Sequence, residues 1–323
     1  MTMNQSFEIS GFDEAVLIVR SAEPHLACWR DVGGWVLQQQ GEVDVRLLRA
    51  WGLPQAIGQE WRLGHPDGST GHVRLMQLEH AGAQTDMRPD DQCWDTGGIF
   101  DLNVRVRDVA AQAAALRALH WHGASPPIRW DFGGLVVKEW LTRGPDNVRL
   151  ALIERLEPPL PDADQPDGFG PVFNSSQIVR DMDAALAFYC GVLGFQRAVS
   201  FKSEAFASAA NVLGLPPGLA PQAGLDLHIV HPKGLKEGSI ELVSVTGTDG
   251  LDLAATATLP NFGMALLRHR VRGINVLARH LAQQGWPLAM PLTRVMIAPY
   301  GKVDLLAVRA PDGAWLEFYE NAA

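Results

Sequence analysis

The stretch from Asn174 to Phe195 constrains the fold more than any other part of the chain. Apolar residues alternate up to Val179, which predicts a strand whose side chains point to its two faces in turn. Arg180-Asp181-Met182-Asp183 is a polar break suited to starting a helix, and Ala184 to Tyr189 is helix-prone. Gly191 and Gly194 then close the helix, and Phe195 opens another strand.

The same order recurs. Glu14 to Arg20 reads as a strand, Pro24 to Trp29 as a helical turn, and Gly33-Gly34 as the turn into the next strand. Phe100 to Val109 is a strand with a polar stop, followed by an Ala-rich helix from Ala110 to Leu119. Met264 to Val271 is another strand, followed by a helix over Ile274 to Gln284 and the break Gly285-Trp286-Pro287. Each opening leads into a β-rich tail, such as Leu225 to His231 with Ser239 to Val245, or Asp304 to Val308 with Trp315 to Tyr319. At 323 residues the chain has room for two domains. The Pro- and Asp-rich run from Pro158 to Gly168 lacks apolar periodicity and reads as an exposed connector. The expected division is therefore an N-terminal domain over 1–157, a linker over 158–170 and a C-terminal domain over 171–323.

The phrase from Asp181 through Phe188-Tyr189-Cys190-Gly191-Val192-Leu193-Gly194-Phe195 resembles the first module of the vicinal oxygen chelate superfamily. That superfamily includes glyoxalase I, extradiol dioxygenases and bleomycin-resistance proteins. Pro299-Tyr300-Gly301 and Pro311-Asp312-Gly313-Ala314-Trp315-Leu316-Glu317-Phe318 are similar to its closing hairpin. Over residues 1–150 the resemblance rests on spacing. It implies an α+β fold of four βαβββ modules, paired two by two into two tandem glyoxalase-like domains. Each domain would form a cup that takes its ligands from the first and last strands of each module. Carried over, the second domain offers Asn174 and Glu241 from one module and Leu266 and Glu317 from the other. The first offers Glu14, Arg74 to Met76, Asp101 and Ala151. The histidines usual at such positions are absent, and Leu266 cannot ligate. Non-haem iron dioxygenases use two His and one carboxylate, and zinc sites favour His and Cys, so ring-cleaving chemistry is disfavoured. No cofactor is expected. The alternative is a divalent metal, Mn(II) or Mg(II), on Asn174, Glu241 and Glu317.

A carboxylate inside an apolar strand is costly unless it faces a cavity or a partner, which singles out Glu241 and Glu317. If they share one cavity, their like charges raise the pKa of one, leaving an acid and a base. Tyr300 is the expected oxyanion donor, from a loop that covers the cleft in relatives. His228 falls near Leu242 or Glu241 when counted back from the turn at Pro232 to Gly238, and is a third acid–base candidate. Asn174 would anchor substrate. Arg268 and Arg270 share the face of Leu266 and could hold a substrate carboxylate or phosphate. The expected function is a cytoplasmic enzyme acting on a small organic substrate, aromatic ones included, by isomerase- or lyase-type proton transfer. Two alternatives stand. One is a non-catalytic small-molecule binder, which the concentration of tryptophans in the first half would suit. The other is a Mn- or Mg-dependent glyoxalase- or dioxygenase-like enzyme.

The net charge of −9 argues against a nucleic-acid partner. No apolar run approaches the ~18 residues of a membrane span. Met1 to Glu14 lacks a basic region followed by an apolar core, so no secretory signal is expected. Three widely spaced cysteines, Cys28, Cys93 and Cys190, read as free thiols of a reducing cytoplasm. A homodimer is the default assembly. Phosphate-loop, dinucleotide, serine-hydrolase and zinc-protease motifs are missing.

Overall fold

A computed structural model describes residues 6–161 and 165–322. Residues 1–5, 162–164 and 323 lie outside the description, and with them the start of the N-terminal segment and Asp162-Ala163-Asp164 of the expected connector.

The elements run in four stretches. The first holds β1 (Glu8–Ile18), α1 (Glu23–Leu26), β2 (Val36–Glu42), α2 (Val45–Ala50), β3 (Ile57–Gly64) and β4 (His72–Glu79). The second holds β5 (Asp101–Arg105), α3 (Val109–Ala118), β6 (His122–Gly123), β7 (Ile128–Phe132), β8 (Leu135–Arg143) and β9 (Arg149–Glu157). The third holds β10 (Val172–Ile178), α4 (Met182–Leu186), β11 (Gln196–Ser203), β12 (Gly224–His231) and β13 (Ser239–Thr246). The fourth holds β14 (Gly263–Arg272), α5 (Ile274–Gln283), β15 (Leu288–Ile297), β16 (Gly301–Arg309) and β17 (Trp315–Asn321). Side-chain oxygens start three of the helices, with Asp44 accepting from the backbone N–H of Arg46 at 2.8 Å before α2. Asp108 accepts from the backbone N–H of Ala110 at 2.9 Å, and Asp181 accepts from that of Ala184 at 2.9 Å. α1 and α4 each continue as a π-helical turn, Ala27–Val32 and Ala187–Val192.

Two curled sheets result. One has the order β15-β16-β17-β14-β1-β4-β3-β2, and the other β11-β12-β13-β10-β5-β9-β8-β6 with β7 on β8. At the centre of each, two opening strands pair antiparallel: β1 with β14, and β10 with β5. The pairing of neighbours in the chain, expected from a division at 158–170, is therefore corrected. The first and fourth stretches share one sheet, and the second and third share the other. The connector joins β9 to β10 inside a single sheet and separates no sheet from the other.

Strand alternation sorts the side chains into three bodies. Outward residues of both sheets, including Leu17, Leu102, Leu242 and Leu267, form one large core with the helices and with Trp29, Trp35, Trp121 and Trp140. Inward residues of the first sheet, including Val16, Met76, Leu266 and Trp315, form a second body, and those of the other sheet a third. The sheets meet where β1 crosses the turn before β13. There the Phe12 N–H donates to the Gly238 carbonyl at 3.1 Å. Gly238 has φ +76, and a Cβ on it would sit 2.9 Å from the Gly11 Cα, so both its conformation and its surroundings require glycine. Gly238→Ala should lower stability by about 2 kcal/mol in urea unfolding; an unchanged midpoint would contradict this packing.

Candidate functional site

Alternation along β1, β4, β14 and β17 turns Glu14, Arg74, Arg268 and Glu317 into the first cup, all fully buried. They neutralise one another. Arg74 Nε donates to Glu14 Oε1 at 2.9 Å, Arg62 Nε to Glu14 Oε2 at 3.0 Å, and Arg268 Nε to Glu317 Oε2 at 2.8 Å. Arg268 also contacts Glu14 directly, Arg74 pairs with Glu60 at 2.9 Å, and Trp51 Nε1 donates to Glu317 Oε1 at 2.7 Å. Tyr300 donates to Glu14 Oε2 at 3.2 Å and stacks on Tyr319. Burial alone would raise the pKa of Glu14, but the guanidiniums of Arg74 and Arg268 outweigh it and hold the carboxyl far below its ordinary value. The first cup is thus plugged by a compensated ion cluster beneath apolar side chains such as Val16, Leu266 and Tyr319.

The other cup is built on the same plan and filled differently. A cavity of about 120 Å³ opens between β5, β8, β9, β10, β12 and β13. Its walls are apolar and aromatic, with Phe100, Trp130, Phe206 and Leu227 among them. Three carboxyls reach it: Asp101, Glu139 and Glu241. Asp101 accepts from the Ser176 backbone N–H at 3.1 Å, and Glu139 accepts from Trp130 Nε1 at 2.9 Å. Glu241 lies opposite Ser176 in the sheet, and among the described residues no ion pair engages it. Burial pushes the Asp101 pKa up to about 6, although the Ser176 hydrogen bonds oppose it. Burial pushes that of Glu139 up to about 8 against the Trp130 hydrogen bond, with the charge of Asp101 adding to the rise. Glu241 is raised well above its ordinary value, by burial first and then by the charges of Asp101 and Glu139. Beside them, Asn103 Nδ2 donates to Asn174 Oδ1 at 2.5 Å and to Ser176 Oγ at 3.2 Å, and Asn174 Nδ2 donates to Ser239 Oγ at 3.0 Å.

The residues singled out from sequence are therefore divided. Asn174 and Glu241 line the open cavity. Glu317, Arg268 and Tyr300 belong to the plugged cup, so the acid–base pair Glu241 and Glu317 is corrected: the two lie in different sheets. His228 lies opposite Leu242 in register, but its neighbours Leu227 and Ile229 face the cavity and it faces away. There it pairs with Asp226 at 3.1 Å and Ser200 at 2.8 Å, and burial lowers its pKa. Arg270 is exposed and donates to Asn321 at 3.3 Å, outside either cup. The partner of Glu317 is Arg268, two residues beyond the expected Leu266 and on the same face. Asp101, one of the positions carried over for the first domain, lines the open cavity beside strands of the second. Glu139 escaped notice, although a glutamate between Val137 and Leu141 on the inward face of β8 is the same signal that exposed Glu241.

Neither cup fits the divalent metal that the resemblance implies. In the first, guanidiniums occupy two of the four inward positions, repel a cation and already satisfy the carboxylates. In the second, Ala151 takes one inward position, and among the described residues no three of His, Cys, Asp or Glu converge as a ligand set. The trio Asn174, Glu241 and Glu317 spans both sheets.

Residues 173–318 match the profile of the Glyoxalase/Bleomycin resistance protein/Dioxygenase superfamily. A point-mutant form of glyoxalase I from Zea mays superposes with a TM-score of 0.61 at 15% identity, over 98% of this chain and 93% of that one. Glyoxalase I from Zea mays gives a TM-score of 0.57 at 14% identity, over the same shares, 98% and 93%. At such identity the likeness is one of fold. No curated protein sequence matches the chain.

Glu317→Gln, which strips a buried guanidinium of its carboxylate, should cost about 3 kcal/mol of stability. Glu317→Leu combined with Arg268→Met should cost less than the single change, since no charge on these two is left unpaired. Calorimetry distinguishes the two, and a harmless Glu317→Gln would contradict the plug.

Proposed function

We propose, on the premise that residues 173–318 are of the glyoxalase, bleomycin-resistance and dioxygenase superfamily and that the whole chain carries a glyoxalase I fold, that this protein is an enzyme of isomerase or lyase type. It moves a proton on a small organic substrate in the cavity of the second sheet. The observation that carries this reading is the set Asp101, Glu139 and Glu241: three carboxyls at one apolar cavity, none in an ion pair with a guanidinium among the described residues. Stability alone gives no reason to keep such a set, because each raised pKa marks an ionised form held at a cost.

Near neutral pH the raised values divide the labour. Asp101, near 6, is mostly ionised and serves as the base that takes a proton from an acidic C–H beside a carbonyl. Glu139, near 8, is mostly protonated and serves as the acid that returns a proton at the neighbouring atom. Glu241 lines the same cavity, and burial together with the charges of Asp101 and Glu139 pushes its own pKa well up. The Asn174 amide spends one N–H on Ser239 and keeps the other for the oxygen on which charge develops. Apolar walls exclude water, which strengthens each of these interactions. The free thiols Cys28, Cys93 and Cys190 support a reducing, cytoplasmic setting. The aromatic lining also suits a non-catalytic binder, and occupancy of the cavity without turnover would favour that reading.

Solvent deuterium entering a panel of small carbonyl compounds, followed by proton NMR, gives the test. Exchange should rise as pH passes about 6 and fall above about 8, the limbs belonging to the coupled set and not to single residues. Asp101→Asn should lower kcat by about 100-fold or more; full exchange by that variant would remove the proposal. Glu139→Gln adds a stability readout. The Glu139 carboxyl binds its proton more tightly folded than unfolded, so its ionisation weakens the fold increasingly from the ordinary value of 4.5 up to about 8. Glu139→Gln should therefore melt higher than the parent at pH 8.5, with the gain vanishing by pH ~4.

A further inference from the structure

The open cavity carries a second feature that the proton-transfer reading does not use. Arg105, Arg155 and Lys236 all line it. Each is half-buried. Arg105 lies on the inward face of β5 with Asp101 and Asn103, at the other end of the strand from Asp101. Its guanidinium sits 4.0 Å from the centre of the Phe173 ring and reaches the exposed carboxylate of Glu237 at 3.1 Å. Arg155 and the Lys236 ammonium make no ion pair among the described residues.

These cations share one cavity and feel one another's charge. Burial lowers the pKa of Lys236, and the charges of Arg155 and Arg105 lower it further. Burial lowers that of Arg155 too, and Arg105 adds to the effect. Three like charges at the edge of an apolar cavity, offset in part by the exposed Glu237 carboxylate, weaken the empty protein, and the net charge of −9 makes the concentration of positive charge there a local choice. An anion seated among them would relieve the repulsion, with planar guanidiniums suited to gripping a carboxylate by two hydrogen bonds.

We infer that Arg105, Arg155 and Lys236 bind the carboxylate of an organic acid whose apolar body fills the cavity beside Phe173 and Trp130. In deepening the proposed function it rests on that reading for the reacting end alone. Asp101 and Arg105 stand four residues apart on one strand face, about 13 Å of rise. Side chains close part of that distance, so an acid with a few carbons between carboxylate and reacting centre reaches both ends. Carboxylate binding itself stands without any turnover.

The probes are 4-phenylbutyrate and its uncharged amide, 4-phenylbutanamide, titrated calorimetrically into the full chain. The acid should bind at least tenfold tighter than the amide, and the preference should shrink as salt is added. Arg155→Gln combined with Lys236→Gln should weaken the acid tenfold or more and leave the amide unchanged. The melting temperature of that double variant should equal or exceed the parent's, because like charges have been removed. Equal binding of acid and amide, binding of neither at millimolar concentration, or an undiminished acid affinity in the double variant would overturn the inference. Asp101→Asn separates the two claims. It should retain the preference for the acid, so a failure of proton transfer leaves carboxylate recognition standing, and a lost preference in the parent leaves the proton chemistry to its own test.

Discussion

A carboxylate taken out of water must find a counter-charge or keep its proton, and the two sheets of this protein meet that requirement in opposite ways. Their frames are alike. In each, two opening strands pair antiparallel at the centre and two closing strands flank them in parallel. In each, alternation turns every second side chain of these strands into a cup. The first cup answers with arginine: Glu14, Glu60 and Glu317 are matched by Arg62, Arg74 and Arg268, and the interior is closed. The second answers with protons: among the described residues Asp101, Glu139 and Glu241 make no ion pair with a guanidinium, and the cavity stays open. One cup has become structure, while the other keeps groups able to exchange protons near neutral pH.

This division sets a closed, ion-paired cup and an open cup of unpaired acids among the described residues in one chain. A buried ion cluster is strongly destabilised by the loss of any member, which fixes the register of β1 against β14 and of β14 against β17. Helix α2 and Trp51 pack over the same cup, adding apolar cover. Through β1 and the Gly238 turn, the plugged sheet is tied to the strands that carry Glu241. The cost of keeping three half-compensated acids and three crowded cations at the second cavity falls on a scaffold steadied elsewhere.

Much of this could be read from residues alone. Alternating apolar residues, Asp caps and closing glycines marked the strands and short helices, because those signals act locally. Ala110 to Leu119 was expected as a helix, and Val109–Ala118 forms one. Partner choice between strands lay out of reach. Backbone hydrogen bonds are the same whatever the partner, so nothing in Glu14 to Arg20 says that it pairs with Met264 to Val271 across the length of the chain. From that one ambiguity came the misplacement of Glu317, which a reading by neighbouring modules puts beside Glu241. His228 shows a subtler limit. Counting from a turn gives its register, but the face it takes depends on which neighbours point inward. Glu139 carries the same legible signal as Glu241, and only its donor, Trp130 on the other arm of a hairpin, lies out of reach of the sequence. The cations at the cavity edge come from three separate strands or turns and converge only in the folded protein.

Protonation inside the second cup decides whether its carboxyls can act as acid and base. Carbon-13 NMR titration of the side-chain carboxyls, with Glu139→Gln used for assignment, tests it most directly. One carboxyl should keep its proton past pH 7 and disappear from the spectrum of that variant, with a second group titrating near 6. If every carboxyl of the cup has ionised by pH ~5, as ordinary solvated acids do, the claim that this cavity stores and moves protons is wrong.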